Sequence, residues 1–293
     1  MDSTLTNSQG APLMALMSFL QKDSLYEDVK PYRLGYRSDN VPTTNLVRQA
    51  VRDIEMHDLR GIEHELTFER NGVAVLEADN IMEYDDFNDR QQVIDSYCTA
   101  IGHILLEYMQ AKTVQVFDYN IRRRHPKYPD VKDETSTARD QPTRNVHIDA
   151  TGAAVHGIIK ELNPGGATDL LDRRVVYVNV WRPLKGPVKD WPIALCDAES
   201  IVPSRDFAAT DHIIRTQNAN EGRLAENYSI HYHPSQRWLY LSLQQPNELL
   251  IFRQYDSNGL PGVPHGSFDV SSLYPPEPEN QRESIEVRAI VYL

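Results

Sequence analysis

Two residues of metal-binding types lie two positions apart in the segment RNVHIDATGAA, where His147 and Asp149 alternate with β-branched side chains. Side chains two apart on a strand project to the same face, so an imidazole and a carboxylate here reach one cavity together. They supply two of the three ligands of a 2-His-1-carboxylate site, which binds iron(II) and leaves coordination positions open. A His-x-Asp pair alone is more often a hydrogen-bonded surface pair, so the metal hypothesis needs a third ligand.

The third ligand must come from a distant strand, and the chain has ten histidines. His231 and His233 share one face in SIHYHPS, but a turn follows directly, so a role at a strand end explains them equally well. His265 follows a turn rich in Gly and Pro, at the start of a short predicted strand and far enough along the chain to return across a barrel. His212 lies in a polar stretch that we predict to be helical. Spacing alone leaves the third ligand open.

The last predicted strand, QRESIEVRAIVYL, offers a cation for a dicarboxylate cosubstrate. Arg282, Ser284 and Arg288 share one of its faces by parity. A planar guanidinium suits a carboxylate better than an ammonium does, so the pair of Arg282 and Ser284 can hold the far carboxylate, with Arg288 as the competing candidate. A solvated edge strand with ion-paired arginines explains the pattern equally well.

The composition indicates a folded protein with an acidic surface. The chain has 293 residues, a net charge of −12 and two cysteines. The charge repels polyphosphates and anionic membranes, so we expect no nucleic-acid or membrane partner, and any anionic ligand must be held by local arginines. Two cysteines build neither a disulfide framework nor a cysteine-based zinc site. No segment resembles a membrane span, and we expect a cytoplasmic protein, as a monomer or a homodimer.

The distribution of elements predicts a mainly β protein with flanking helices. Residues 1–60 are polar and rich in Pro, Asp and Asn, which indicates an extended N-terminal extension with short helical pieces that wraps the core. Apolar residues at intervals of three and four predict one amphipathic helix over 89–112. Short β-rich runs separated by turns follow from residue 147, which is typical of a sandwich or barrel. We therefore predict one domain over 1–293, with its core from about 65 to 293.

Several longer segments resemble one protein family. They are VHIDAT, VNVWRPLKGPVKDWPIALCD, HPSQRWLYLSLQQPNELLIFRQYDS, PHGSF and RESIEVRAIVY, and they occur in the family's order over about half of the chain. The sequence resembles the fungal non-heme iron hydroxylase/desaturase family, which includes a gibberellin desaturase and is related to cephamycin-pathway oxygenase components. Departures occur in YLSLQQPNEL and HGSF, so the wall facing the substrate is expected to differ.

The resemblance implies a double-stranded β-helix core of the jelly-roll or cupin-like type and an Fe(II)/2-oxoglutarate-dependent dioxygenase. Carried over by position, the family's iron ligands fall on His147, Asp149 and His265. The resemblance also implies O2 as cosubstrate, with hydroxylation, desaturation or oxidative ring formation on a small natural-product intermediate. Arg282, Ser284 and Arg288 are then the candidates for binding 2-oxoglutarate.

Two alternatives belong to other classes. A non-catalytic partner subunit of the same fold is disfavoured, because the three carried-over ligands are all present. A cupin-like enzyme that uses another divalent metal without 2-oxoglutarate is disfavoured, because Arg282 and Arg288 both remain available for the cosubstrate.

Overall fold

We describe the protein from a computed structural model, which covers residues 12–78, 81–129, 141–215 and 222–293. Its strands in chain order are β1 (Leu13–Leu20), β2 (Tyr32–Leu34), β3 (Arg48–Asp58), β4 (Val73–Glu77), β5 (Thr113–Arg123), β6 (His147–Ile148), β7 (Val175–Pro183), β8 (Ile193–Cys196), β9 (Phe207–Arg215), β10 (Gly222–Ile230), β11 (Trp238–Tyr240), β12 (Glu248–Asp256), β13 (His265–Ser267) and β14 (Glu283–Tyr292). The α-helices are α1 (Leu25–Asp28), α2 (Phe68–Asn71), α3 (Arg90–Gln92), α4 (Thr99–Tyr108), α5 (Gly152–Leu162), α6 (Ala167–Leu171) and α7 (Pro203–Asp206).

Within the described residues the strands form two sheets. The larger sheet has the order β1-β3-β11-β8-β13-β6-β10-β9-β2, and the smaller has the order β4-β12-β7-β14-β5. The two sheets pack together through an apolar cluster to which β8 and β11 contribute from the larger sheet and β4, β7 and β12 from the smaller. The space between the sheets is therefore where residues of β6, β7, β13 and β14 meet.

Strand β7 is buried along its whole length because each of its faces packs against a different layer. Val176, Val178 and Val180 pack on a helical run made of α3, a π-helical turn (Val93–Cys98) and α4. Burying each of these valines contributes about 1.5–3 kcal/mol. Since side chains alternate along a strand, the valine face fixes β7 on the helix and turns Tyr177, Asn179 and Trp181 towards the space between the sheets. The helix predicted over 89–112 is confirmed, with bounds 90–108.

The N-terminal segment contributes more regular structure than the sequence indicated. Strands β1 and β3 pair along most of their length and belong to the larger sheet, and β2 lies at its opposite edge. Of the predicted short helical pieces, the described residues before residue 60 contain only α1. The domain boundaries predicted at 1–60 and about 65–293 stay a prediction.

Two local predictions are wrong. The stretch around His212 is strand β9, not a helix, because all nine of its residues pair with β10. The short strand after residue 264 begins at His265 and ends at Ser267, so it covers little of the predicted SFDV strand. The prediction of a mainly β protein with flanking helices is confirmed. Among the described residues, none of the helices has both the length and the apolarity needed to cross a bilayer.

Gly72 joins α2 to β4 at a point of close packing. Replacing it therefore tests how tightly the core around Val263 is packed. Its φ is +72°, and a Cβ added there would lie 2.6 Å from Val263 Cγ2. We expect Gly72→Ala to lower the free energy of unfolding by about 2–5 kcal/mol, from backbone strain plus overpacking. Gly61 is the matched control, since its φ is +87° and no atom lies within 4 Å of the added Cβ. Gly61→Ala should cost only about 1–2 kcal/mol. Equal losses in urea denaturation would contradict this account of the packing.

Candidate metal centre

The structure brings His147, Asp149 and His265 together. Strand β6 lies between β13 and β10 in the larger sheet, and His147 pairs directly with His265 across the β6–β13 ladder. Asp149 follows β6. It lies two residues after His147 and therefore projects to the same side. One ligand atom from each of the three side chains lies within 4.8 Å of the other two. The predicted pair and the histidine of PHGSF thus form one cluster.

Backbone carbonyls fix the orientation of both imidazole rings. His147 Nδ1 lies 2.9 Å from the Asn145 carbonyl oxygen, and His265 Nδ1 lies 3.3 Å from the Val263 carbonyl oxygen. A carbonyl only accepts hydrogen bonds, so each Nδ1 carries a hydrogen and Nε2 is the atom that each ring can offer to a metal. These Nε2 atoms lie 3.2 and 3.9 Å from Asp149 Oδ1. Two imidazole nitrogens and a carboxylate oxygen that face one another suit a divalent cation.

The other carboxylate oxygen of Asp149 is held from the smaller sheet. Oδ2 accepts hydrogen bonds from Asn179 Nδ2 at 2.8 Å, from Arg288 Nε at 3.0 Å and from the Tyr177 hydroxyl at 3.4 Å. Burial would raise the pKa of Asp149, but the charge of Arg288, followed by the neighbouring His147, holds it well below its usual range. Asp149 is therefore ionised and presents Oδ1 alone to the cluster.

His265 is kept neutral by its surroundings, which is the protonation state that metal binding requires. It is 3% exposed, and burial, followed by the neighbouring His147, lowers the pKa of its imidazole to about 3. Its ring contacts Phe252 on one side and His147 on the other, with centroid distances of 4.9 and 4.4 Å. The ring is therefore neutral near pH 7 and needs no proton removed before it ligates a cation.

Each nitrogen atom of the Arg288 guanidinium donates to a carboxylate. Besides Asp149, Arg288 donates to Asp118 Oδ2 at 2.8 Å and to Glu286 Oε1 at 3.0 Å. Burial would lower the pKa of Arg288, but Asp149 and the neighbouring Tyr177 and Glu286 raise it well above its usual value. Arg288 therefore supports Asp149, and each of its three nitrogen atoms is already paired with a carboxylate.

Arg282, unlike Arg288, forms no ion pair with a described carboxylate. Its guanidinium lies 5.5 Å from the centroid of the Trp181 ring, and Nη1 donates to the Trp191 carbonyl at 2.6 Å and to Ser267 Oγ at 2.7 Å. Nε is buried without a hydrogen-bond partner, and no described carboxylate forms an ion pair with Arg282. Burial, followed by repulsion from Arg122, lowers the pKa of Arg282 to about 9. A cation left in this state lacks the anion that would stabilise it.

Arg282 and the histidines line one pocket of about 310 Å³ that is partly open to solvent. Its apolar wall is formed by Trp181 and Ile193. The remaining lining residues are polar or small: Arg122, Thr143, His147, His265, Gly266, Ser267, Arg282 and Glu286. The pocket thus joins the histidine cluster to a cation without a counter-ion, which is the pattern of a metal site with an anionic ligand beside it.

Three of the residues considered from the sequence lie outside the pocket and the metal cluster. Ser284 is buried on β14 but is not among the residues that line the pocket, so the predicted pairing of Arg282 with Ser284 is replaced by its contact with Ser267. His231 contacts the Leu20 carbonyl and His233 contacts Ser235, and neither joins the cluster. Sequence reasoning missed Ser267, although the signal was present, since Ser267 stands two positions after His265 and so shares its face.

The sequence and the fold were compared with known proteins. The model of a family described as an oxidoreductase/YMDC permease-like domain matches residues 17–292. The α-ketoglutarate-dependent dioxygenase tstK of Talaromyces stipitatus is 27% identical over 243 residues, which are 81% of this chain and 84% of that protein. The Fe(II)/2-oxoglutarate-dependent dioxygenase nvfI of Aspergillus novofumigatus is 34% identical over 152 residues, which cover 52% and 53% of the two chains. The hydroxylase/desaturase efuI of Hormonema carpetanum is 27% identical, with 82% and 83% covered.

Among solved structures, the iron and α-ketoglutarate-dependent endoperoxidase NvfI superposes with a TM-score of 0.82, at 24% identity and with 96% of this chain and 97% of that chain covered. This likeness confirms the predicted double-stranded β-helix core. The chain belongs to the oxidoreductase/YMDC permease-like domain family. Its relatives confirm the predicted class, an Fe(II)/2-oxoglutarate-dependent dioxygenase with iron and 2-oxoglutarate as cofactors.

The cluster makes a direct prediction about metal affinity. We expect His265→Ala to lower the affinity for Fe(II), measured anaerobically by isothermal titration, by at least about 100-fold, because one of three ligands and its fixed orientation are lost. The matched control is His64→Ala, since His64 is exposed and lies outside the cluster. His64→Ala should bind iron as the wild type does. Retained iron binding in His265→Ala would exclude this cluster as the metal site.

Proposed function

We propose that this chain is an Fe(II)/2-oxoglutarate-dependent oxygenase that acts on a small natural-product intermediate, with iron held by His147, Asp149 and His265. The observation that carries the proposal is the pocket in which His147 and His265, which cluster with Asp149, meet the buried Arg282. The single domain over 1–293 is part of the proposal. A homodimer, a cytoplasmic location and the absence of nucleic-acid and membrane partners stay predictions.

The three side chains would bind the metal and leave positions open. Two imidazole nitrogens and one carboxylate oxygen form the donor set that suits iron(II), and their carbonyl and amide partners keep them in place without reorganisation. Bound iron, together with 2-oxoglutarate and O2, supplies an oxidant that removes hydrogen from an unactivated carbon. Hydroxylation, desaturation and ring formation all begin with that removal, so the proposal includes all three outcomes.

Arg282 would bind the far carboxylate of 2-oxoglutarate. Its guanidinium is buried, faces the pocket and lacks an anion, whereas Arg288 is occupied by Asp149, Asp118 and Glu286. Trp181 and Ile193 exclude water from one side of the pocket, which strengthens the pairing of guanidinium and carboxylate. This unpaired cation favours the cosubstrate-dependent enzyme over a cupin-like enzyme that works without 2-oxoglutarate.

An anaerobic titration tests the proposal. Fe(II) is added to the metal-free protein, followed by 2-oxoglutarate, while visible absorption is recorded for the charge-transfer band of a chelated keto acid. We expect a weak band in the wild type and none in Asp149→Ala, which lacks one ligand and removes one of the three carboxylates that pair with Arg288. Iron binding without a band in the wild type would overturn the cosubstrate part of the proposal.

Two serines give a matched control for the role of Arg282 in the same titration. Arg282→Met should raise the 2-oxoglutarate concentration at half-saturation by roughly 100-fold, because an incoming carboxylate would be buried without a partner. Ser267→Ala should raise it by about 3- to 10-fold through the loss of one hydrogen bond that orients Arg282. Ser284→Ala should leave it unchanged. A larger effect of Ser284→Ala than of Ser267→Ala would reverse the assignment of the two serines.

A further inference from the structure

A basic cluster lies on the same face of the larger sheet as His147 and is not used by iron or by 2-oxoglutarate. We define the basic cluster as Arg33 on β2, Arg48 on β3 and His212 on β9. Three different strands of the sheet thus each contribute one basic side chain.

The strand register places two members of the basic cluster on the face of His147. His147 pairs with Ser229 on β10, and Ser229 pairs with Ala208 on β9. His212 lies an even number of residues further along β9, and its other neighbour across the sheet is Arg33. Paired residues and residues an even number apart share a face. His147, His212 and Arg33 therefore project from one side of the sheet.

Arg48 approaches the same place from the end of β3. The segment before β3 runs along the free edge of β2, where Thr44 pairs with Arg33. Arg48 is the first residue of β3, opposite Leu20 of β1. Its Nη1 atom is buried and has no hydrogen-bond partner. Burial, followed by repulsion from Arg33 among other groups, lowers the pKa of Arg48, which agrees with a crowded cation that lacks an anion.

His212 links the basic cluster to the metal centre. The strand register places His212 on the same face of the sheet as Arg33 and His147. Burial, followed by the neighbouring Arg33, His147 and Arg48, lowers the pKa of the His212 imidazole to about 4. His212 is thus neutral near pH 7 and offers a hydrogen-bond donor beside the two guanidinium groups.

The acidic residues nearby point away from the basic cluster. Asp211 and Glu226 are paired across β9 and β10 on the opposite face, where both form ion pairs with Lys30. Among the described residues no carboxylate forms an ion pair with Arg33 or Arg48. The chain carries 42 acidic and 30 basic residues, so two arginines without a partner on one face are unexpected in this composition.

Arginines with a structural role look different in this protein. Arg253 is fully buried and donates to the carbonyl oxygens of Pro261, Phe68 and Glu69, although its Nη2 has no partner. Among the described residues, neither Arg33, which is exposed, nor Arg48, which is half-buried, donates to a backbone carbonyl in this way. Their arrangement therefore suits an external acceptor better than a role in holding the backbone.

We propose that the basic cluster binds an anionic group of the substrate, a carboxylate in the first instance, so that the substrate is an organic acid. The proposal deepens the proposed function and rests on it. In the strand order, β13, whose Ser267 contacts Arg282, lies on one side of β6, and β10, β9 and β2 lie on the other. In this order the metal centre lies between the 2-oxoglutarate site and two members of the basic cluster, His212 and Arg33.

This arrangement sets the approximate size of the substrate. Strands β6 and β9 are two strand spacings apart, at about 4.8 Å each, and His212 lies four residues, or about 13 Å, along β9 from Ala208, so the Cα atoms of His147 and His212 are on the order of 16 Å apart. A substrate held at its acid end by two guanidinium groups presents a carbon on the far side of the molecule to the metal. The basic cluster then determines which carbon is oxidised, because it fixes the acid end of the substrate relative to the metal.

A pair of probes that differ only in charge tests this assignment. The protein is loaded with Mn(II) and saturated with 2-oxoglutarate, and 4-phenylbutyrate or its amide, 4-phenylbutanamide, is titrated by calorimetry. We expect the acid to bind at least about tenfold more tightly than the amide, because charge-assisted hydrogen bonds form only with the acid. Arg33→Met and Arg48→Met should each remove most of this preference. Arg52→Met, which removes an exposed arginine of β3, should preserve it.

Three results would overturn the assignment. The first is equal binding of acid and amide, including failure of both to bind. The second is a preference for the acid that survives in the Arg33→Met/Arg48→Met double variant. The third is a clear loss of thermal stability in ligand-free Arg48→Met, which would mean that Arg48 has a structural role. The keto-acid band of the wild type is measured separately, so failure of the proposed function and failure of this assignment are distinguishable.

Discussion

The carboxylate of Asp149 is the group on whose placement the rest of the site depends. An ionised carboxylate in a largely enclosed space is costly unless hydrogen bonds and an opposite charge compensate it. Asn179 and Arg288 compensate one oxygen, and both stand on strands that are fixed from behind by a layer of valines and a helix. The second oxygen is left facing two imidazole nitrogens, so the packing of the smaller sheet determines the geometry of a cluster carried by the larger one.

The arginines around the space between the sheets fall into two groups by what they contact. Arg288 and Arg253 donate to several acceptors within the fold and hold the structure together, although Arg253 Nη2 has no partner. Arg282, which lines the pocket beside the histidines, and Arg48 each retain a buried nitrogen atom with no partner and form no ion pair with a described carboxylate. A guanidinium that stays unpaired in an acidic protein reduces stability, and this cost is the physical reason to expect anions at both places.

Part of this architecture follows from the sequence by local rules, and part does not. Alternation alone placed His147 beside Asp149, and the same rule would have found Ser267 from its spacing to His265. Parity did not separate Arg282 from Arg288, because the difference lies in contacts with Asp149 and Asp118 that come from distant segments. Strand β1 was missed because its apolar residues do not alternate with polar ones, and β3 and β9 were missed because many of their residues are polar or alanine. Long-range pairing stabilises all three strands. The basic cluster is therefore visible only in the folded chain.

The most direct test of the account is a crystal structure of the protein grown anaerobically with Fe(II) and 2-oxoglutarate. The account predicts iron bound by the Nε2 atoms of His147 and His265 and by one oxygen of Asp149, with the far carboxylate of 2-oxoglutarate on Arg282 and Ser267. Asp149 should keep its contacts with Asn179 and Arg288. Iron bound by other residues, or a cosubstrate carboxylate paired with Arg288 after Asp149 has been released, would contradict it.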